Sequence, residues 1–285
     1  MKEDIKTKIV RALSELPVDY EEQWTFIHEE RNKGVNWEMA GVLVLLSQHQ
    51  EPHLPHEEYS IILNKRSMRV QQPGDLCCPG GHPSPRIDSL LSHLVVPYLL
   101  PLRKSPGFVE AKKKGKMFFR IISFLIANTI RESWEEIRLN PFKVDYLGGL
   151  QCYRLEPFRR IIFPVVGILR AEAHLKPNWE VEKILHIPIK AFYNPDNFAI
   201  YTLKINERSE KMPHIGTLNH PCFVHKEDGQ PNEILWGATY KILMSFMRVV
   251  FGFSPPDESN RPRVWGEPYP NVKRKKRKSI IKKWN

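Results

Sequence analysis

The chain has 285 residues, 41% of them hydrophobic and 26% charged, so it has the length for one large domain or two small ones and the composition of a soluble globular protein. Its net charge of +11 is concentrated at one end: "KRKKRKSIIKK", residues 273–283, holds eight Lys or Arg and no acid, leaving +3 (11 − 8) for the remainder. That removes a chain-wide nucleic-acid footprint. The tail reads as a solvated terminus, with contact to RNA, a membrane or an acidic partner as the less favoured reading.

The four cysteines, Cys77, Cys78, Cys152 and Cys222, lack zinc-type spacing, and an adjacent pair is poorly placed to bridge itself. A reducing compartment, the cytoplasm, is therefore expected. "MKEDIKTKIVRALSEL" is an amphipathic helix pattern and does not read as a signal peptide, "KKWN" is not a peroxisomal address, and no apolar run is long enough to cross a bilayer.

In chain order, residues 4–31 read as helical and Ala40–Leu46 as a strand. "HQEPHLPHEE" is a polar loop and "YSIILNKRS" a second strand. "VQQPGDLCCPGGHPSPR" is dominated by turn formers. Residues 89–126 are two apolar pieces, "SLLSHLVVPYLLPL" and "MFFRIISFLI", around a basic stretch. A helical hairpin packed on the body is favoured over a monotopic membrane-surface element. "VDYLGGLQCYR", "RIIFPVVGILR", "EVEKILHIPIKAF" and "FAIYTLKI" supply further strands, the second buried on both faces, and the last periodic segment is a helix of about four turns. Strands around one acidic helix, followed by more strands and a final helix, fit an α+β or α/β/α sandwich.

The acidic helix carries the chemistry. In "NTIRESWEEIRLNP", residues 128–141, Glu135 and Glu136 fall within about 60° of Glu132 on a helical wheel, opposite Ile130, Trp134 and Ile137. Three carboxylates on one face repel unless something cationic sits among them, and their oxygens suit Mg²⁺ or Mn²⁺. Arg131 lies beside Glu135 and is placed to orient a carboxylate or touch a phosphate. Upstream, the Gly80–Gly81 turn lets the backbone approach a ligand closely. Taken alone, "RESWEEI" is more often a solvated helix face.

The context is more specific. "RESWEEIRL" resembles the second half of the Nudix box, G-x5-E-x7-R-E-U-x-E-E-x-G-U, with Arg131, Glu132, Glu135, Glu136 and Leu139 on its R, E, E, E and final U. "ILNKRSMRVQQPGDLCCPGG" is similar to the segment preceding the box in the coenzyme A pyrophosphatase branch. "IIFPVVGIL", "NWEVEKILHIPI" and "EILWGATYKIL" match later pieces of that branch, so the resemblance runs from about residue 37 to residue 245.

The resemblance implies a Nudix-type α/β/α sandwich with a mixed sheet and an inserted apolar and basic segment. Residues 1–36 would form an N-terminal helical segment, 37–255 the Nudix domain with its insertion at about 89–126, and 256–285 a Pro-containing basic tail. It implies Mg²⁺- or Mn²⁺-dependent hydrolysis of coenzyme A or acyl-coenzyme A to adenosine 3′,5′-bisphosphate and (acyl-)phosphopantetheine. Glu132 and Glu136 would be metal ligands, and Glu135 a third ligand or the acceptor of the water's proton. Arg131 would act beside them, and Arg66, Ser67, Gly80 and Gly81 would meet the substrate. An oligomer is compatible with this scheme.

Several positions depart from the pattern. Gly81 and Arg131 are 50 positions apart where the box has 14, an insertion of 36 residues that reads as a lid, an oligomer contact, a specificity element or a plain loop excursion. The acid expected six residues after Gly81 is Ile87, and Asp88 either takes that role or caps the following helix. Ser133 stands at an apolar box position, and Arg138 stands at a box glycine, so the helix is expected to run on to Asn140–Pro141. Asn64, Gln71 and Cys78 replace the signature's Thr, Arg and Phe. The alternatives are a Nudix diphosphatase on nucleotide sugars, dinucleotides or capped RNA, and a silent ligand-binding Nudix module.

Overall fold

The computed structural model describes residues 4–49, 58–96, 98, 101–205, 216–227 and 229–266. The basic tail at 273–283 and most of the "HQEPHLPHEE" loop lie outside them. The helical stretch predicted for residues 4–31 is two helices, α1 (Ile5–Glu15) and α2 (Tyr20–Asn32). Pro17 explains the break, because it holds Leu16 in an extended conformation (φ −70°, ψ 123°).

The central sheet is built on β1 (Glu38–His49), β2 (Glu58–Arg66), β7 (Arg160–Leu169) and β8 (Val181–Pro188), with β5 (Val144–Gly149) and β6 (Tyr153–Leu155) on the far side of β7. It is mixed: β1 runs parallel to β7, while β1 and β2, and β2 and β8, are antiparallel. β1 and β2 pair only from Leu45↔Ile62 to His49↔Glu58, then part. Into the fork go two short strands from the turn-rich segment. β3 (Leu76–Cys77) pairs with β2 at Asn64 and Lys65, and β4 (Gly80–Gly81) pairs with β1 at Val42 and Gly41.

Alternation along the strands sorts the core into two layers. Leu43, Leu45, Ile62, Phe163 and Val165 pack under α2 and under α5 (Lys116–Ile137). Val44, Leu46, Ile61, Leu63 and Val166 pack under α1 and under α6 (Gly237–Phe251). This is the expected α/β/α sandwich with a mixed sheet, and β7 is buried along nearly its whole length, as predicted. A second sheet, β11 (Glu233–Leu235), β10 (Gly216–His225), β9 (Phe198–Ile205) and β12 (Arg263–Gly266), has its own small core of Tyr201, Leu203, Cys222 and Val224. The sequence reading did not separate it from the first.

The 89–126 region packs on the body. α3 (Pro85–Leu94) and α4 (Pro106–Lys113) lead into α5, and Val96, Leu102, Phe108 and Phe118 are buried in the α5-side layer. One expectation changes here. "MFFRIISFLI" is not a separate element but the first half of α5, a single 22-residue helix that ends in the carboxylates. Among the described residues no helix is long and apolar enough to cross a membrane.

Candidate metal-dependent active site

α5 lies across the β1–β2 fork and turns its buried acids toward β4. Glu136 is nine-tenths buried or more, and its Oε2 accepts from the Gly80 backbone N–H (3.1 Å) and from Asn64 Nδ2 (3.0 Å). Glu132, also buried, lies against Gly81, where an added Cβ would sit 2.9 Å from its carboxylate. At Gly80 the constraint is the backbone itself. Its φ of +143° favours glycine, and a Cβ would run into the Gly41 carbonyl oxygen. The Gly-Gly pair is therefore what lets the two halves of the site touch.

Arg131 is the second organiser. Its Nε and Nη2 grip the fully buried Asp88 bidentately at 2.7 and 3.0 Å, while Nη1 reaches Glu132 at 3.0 Å and Glu135 at 3.2 Å. Burial works against the guanidinium charge, but the Asp88 hydrogen bonds and the Glu132 and Asp88 charges outweigh it and hold the pKa above the usual range. Asp88 Oδ2 also accepts from the Ser84 backbone N–H (2.7 Å) and Asn128 Nδ2 (3.3 Å). So Asp88 caps α3 and neutralises Arg131 at once, whereas Ile87, at the position where the pattern expects an acid, is half exposed.

Burial pushes Glu136 up to about 8, and the charges of Glu132 and Glu180 push the same way, against the Gly80 hydrogen bond and the Arg66 charge. Asn64, which gives its amide hydrogen to Glu136, has its own Oδ1 buried without a partner among the described residues. An orphaned oxygen beside two buried carboxylates is the chemistry of a hard-cation site. No three His, Cys, Asp or Glu side chains among the described residues converge closely enough to hold an ion by themselves. The set fits Mg²⁺ or Mn²⁺ held by two carboxylates, with waters and substrate oxygens completing the shell. Glu135 is set apart, its side chain half exposed in its ion pair with Arg131.

The remaining predicted residues divide. Arg66 is close enough to Glu136 to lower its pKa and donates Nε to the Gln71 carbonyl (2.7 Å). Ser67 acts on the neighbouring loop, its hydroxyl donating to the Trp179 carbonyl (2.8 Å) and its N–H to the Glu180 carbonyl (2.9 Å). Asn64 and Glu180 were not singled out as site residues. Asn64 is visible in the sequence only as a departure from the signature, and Glu180 lies in the matched "NWEVEKILHIPI" piece, where nothing local marks it as a neighbour of Glu136. Arg138 corrects the expected run-on of the helix. It adopts the left-handed conformation (φ 56°, ψ 32°), its N–H bonds the Trp134 carbonyl (3.0 Å), and the next residue, Leu139, is fully buried. That burial, with the guanidinium 5.6 Å from the Trp134 ring centroid, offsets the cost of the strained backbone.

No protein-family model matches the chain. Among curated proteins it is 32% identical over 146 residues to chloroplastic Nudix hydrolase 22 of Arabidopsis thaliana, covering 50% of this chain and 42% of that protein. In sequence the chain is similar to Nudix hydrolases. It is also 26% identical over 131 residues to the peroxisomal coenzyme A diphosphatase of Mus musculus, covering 45% of this chain and 52% of that one. The chain thus spans about half the length of the curated relatives it matches. A solved Nudix hydrolase from Alicyclobacillus acidocaldarius aligns over 54% of this chain and 80% of its own, at 12% identity and a TM-score of 0.34, too loose a likeness to bear on function.

Proposed function

We propose that this Nudix relative is a metal-dependent diphosphatase that hydrolyses coenzyme A or acyl-coenzyme A to adenosine 3′,5′-bisphosphate and (acyl-)phosphopantetheine. The observation that carries the hydrolase reading is Glu136, an acid buried beside Glu132 and Glu180 whose carboxylate accepts, among the described residues, from the neutral donors Asn64 Nδ2 and Gly80 N–H. A divalent cation there would neutralise charge developing on a diphosphate and lower the pKa of a bound water. Glu132 and Glu136 would hold it, with Gly80 and Asn64 fixing the Glu136 carboxylate. Glu135, half exposed and steadied by Arg131, is the candidate acceptor of the water's proton or a third ligand. Arg66 supplies a guanidinium suited to substrate phosphate.

The coenzyme A assignment is supported by the "ILNKRS" segment and by a curated relative with that activity. The alternative, a Nudix diphosphatase on another nucleotide derivative, shares every residue of the metal site. The silent module loses its motives, because the insertion leaves Gly80 bonded to Glu136 and Arg138 takes the backbone conformation of the glycine it replaces. A cytoplasmic home is proposed from the four free cysteines. The test is a diphosphate panel with Mg²⁺ and with Mn²⁺. Release of adenosine 3′,5′-bisphosphate from coenzyme A, abolished by Glu136→Gln, is expected. Unchanged turnover in that variant overturns the metal site, and turnover confined to dinucleotides or nucleotide sugars moves the substrate.

A further inference from the structure

α3 packs on the body with an apolar stripe turned outward. At 100° per residue Leu90, Leu94 and Ile87 fall within about 60° of one another, and the three side chains are 59%, 58% and 51% exposed. The polar residues of the same helix face inward. Asp88 is fully buried in its ion pair with Arg131, and Ser92 is buried with its hydroxyl donating to the Ser89 carbonyl (2.8 Å). Leu91 and Val95 lean on the α5-side layer, but the outer stripe stays uncovered. Just past the helix end Tyr98 is 71% exposed. An amphipathic helix ordinarily buries its apolar stripe in the body. A helix anchored by a buried ion pair that shows this stripe to solvent marks a contact surface for something else.

We infer that this face seats the protein on an anionic lipid surface, with Ile87, Leu90 and Leu94 at the acyl boundary and basic side chains among the headgroups. Charge selects the occupant. The one acid of α3 is Asp88, which Arg131 neutralises, and the exposed Arg86 and His93 border the stripe on the helical wheel. From residue 85 to 120 the chain holds eight Lys or Arg, all exposed, against two acids, a net +6 (8 − 2). Glu110, the second acid, is paired with Lys113 at 2.7 Å. A second copy docking through the same face would set two such segments of like charge against each other. Anionic headgroups neutralise them instead, while the acyl boundary takes the leucines, as for a helix lying in the interface plane. α3 also links this face to the carboxylate site, because between the outward Ile87 and Leu90 the inward Asp88 holds Arg131, which reaches Glu132 and Glu135.

The test is co-sedimentation of the full chain with vesicles of phosphatidylcholine alone and of phosphatidylcholine mixed with phosphatidylserine. Binding to the mixed vesicles is expected, and Leu90→Ser combined with Leu94→Ser should weaken it roughly tenfold or more. Both side chains are exposed, so the double variant should melt within a few degrees of the parent. A phospholipid carrying a diazirine in its acyl chain should label residues 87–98 of the unmodified protein. That readout stands if the variant does not fold, and it separates insertion of α3 from adsorption through the basic tail at 273–283. Unchanged binding in the double variant, a label confined to the tail, or equal binding to both kinds of vesicle overturns the proposal. Absence of vesicle binding together with a dimer that the double variant disperses overturns it too, and gives the face to a second copy. None of these outcomes bears on the diphosphatase reading, which is tested in solution without lipid.

Discussion

Glu136 is an acid whose surroundings ask for a cation. An ordinary carboxyl near 4.5 is raised in the folded chain to about 8. Between those values the folded state keeps a proton that the unfolded state has lost. The metal-free protein should therefore lose stability as pH climbs through that window, the favourable contribution being complete below it and gone above about 8. A divalent cation has to displace the same proton, so its apparent affinity should rise with pH and level off above about 8. The rise in Tm on adding Mg²⁺ should accordingly be larger at pH 9 than at pH 6, and an equal rise at both counts against Glu136 as a ligand. Glu136→Gln should remove the Mg²⁺ response yet raise the metal-free Tm at pH 9, since its amide can donate to the orphaned Asn64 Oδ1 after a small rotation. Asp88 is the bidentate partner of Arg131, which keeps Glu132 and Glu135 when Asp88 is lost, so Asp88→Asn should cost roughly 1.5–3 kcal/mol in urea unfolding. The double variant with Arg131→Met should regain much of that stability without regaining turnover.

At the level of elements, the β1–β2 fork makes two neighbouring glycines do different jobs. Gly80→Ala collides with fixed backbone at a φ of +143°, so it should destabilise by about 1–3 kcal/mol. Gly81→Ala meets only the movable end of Glu132 at 2.9 Å, so the fold should survive while Mg²⁺-dependent turnover falls at least tenfold. Equal losses of stability in the two variants would count against this account. Arg138→Gly weighs relief of about 1 kcal/mol of left-handed strain against loss of a cation–π contact of similar size. It should leave Tm within a few degrees of the parent.

For the whole molecule, the sandwich and the acidic helix were legible because they rest on periodicities that local residues set, and "RESWEEI" and "CCPGG" pointed to the two segments that the fold brings into contact at Glu132, Glu136, Gly80 and Gly81. The continuity of the insertion with α5 was not. "KKKGK" at 112–116 looks like a break, and "MFFRIISFLI" is apolar at all but Arg120 and Ser123, which blurs the 3.6-residue signal that would have joined it to the carboxylates. That Asn64 and Glu180 converge on Glu136 depends on strand register and on a long loop, which no local pattern encodes. One consequence concerns engineering. Excising residues 89–126 would remove half of α5 and the Phe108 and Phe118 packing, so the shortened chain should fail to give a cooperative melting transition.

The separation of Gly81 from Arg131 also bears on how the protein reaches its native state. Joining two points 50 residues apart rather than 14 adds about 1 kcal/mol of closure entropy, or roughly a sixfold slower encounter where that closure limits the rate. Strand β4 cannot seat until that encounter has happened, because its Gly80 amide is held by Glu136. In a pulse-labelled refolding experiment the Gly80 amide should gain exchange protection after the amides of β7 and α6, making the β1–β2 fork the last part of the molecule to be finished.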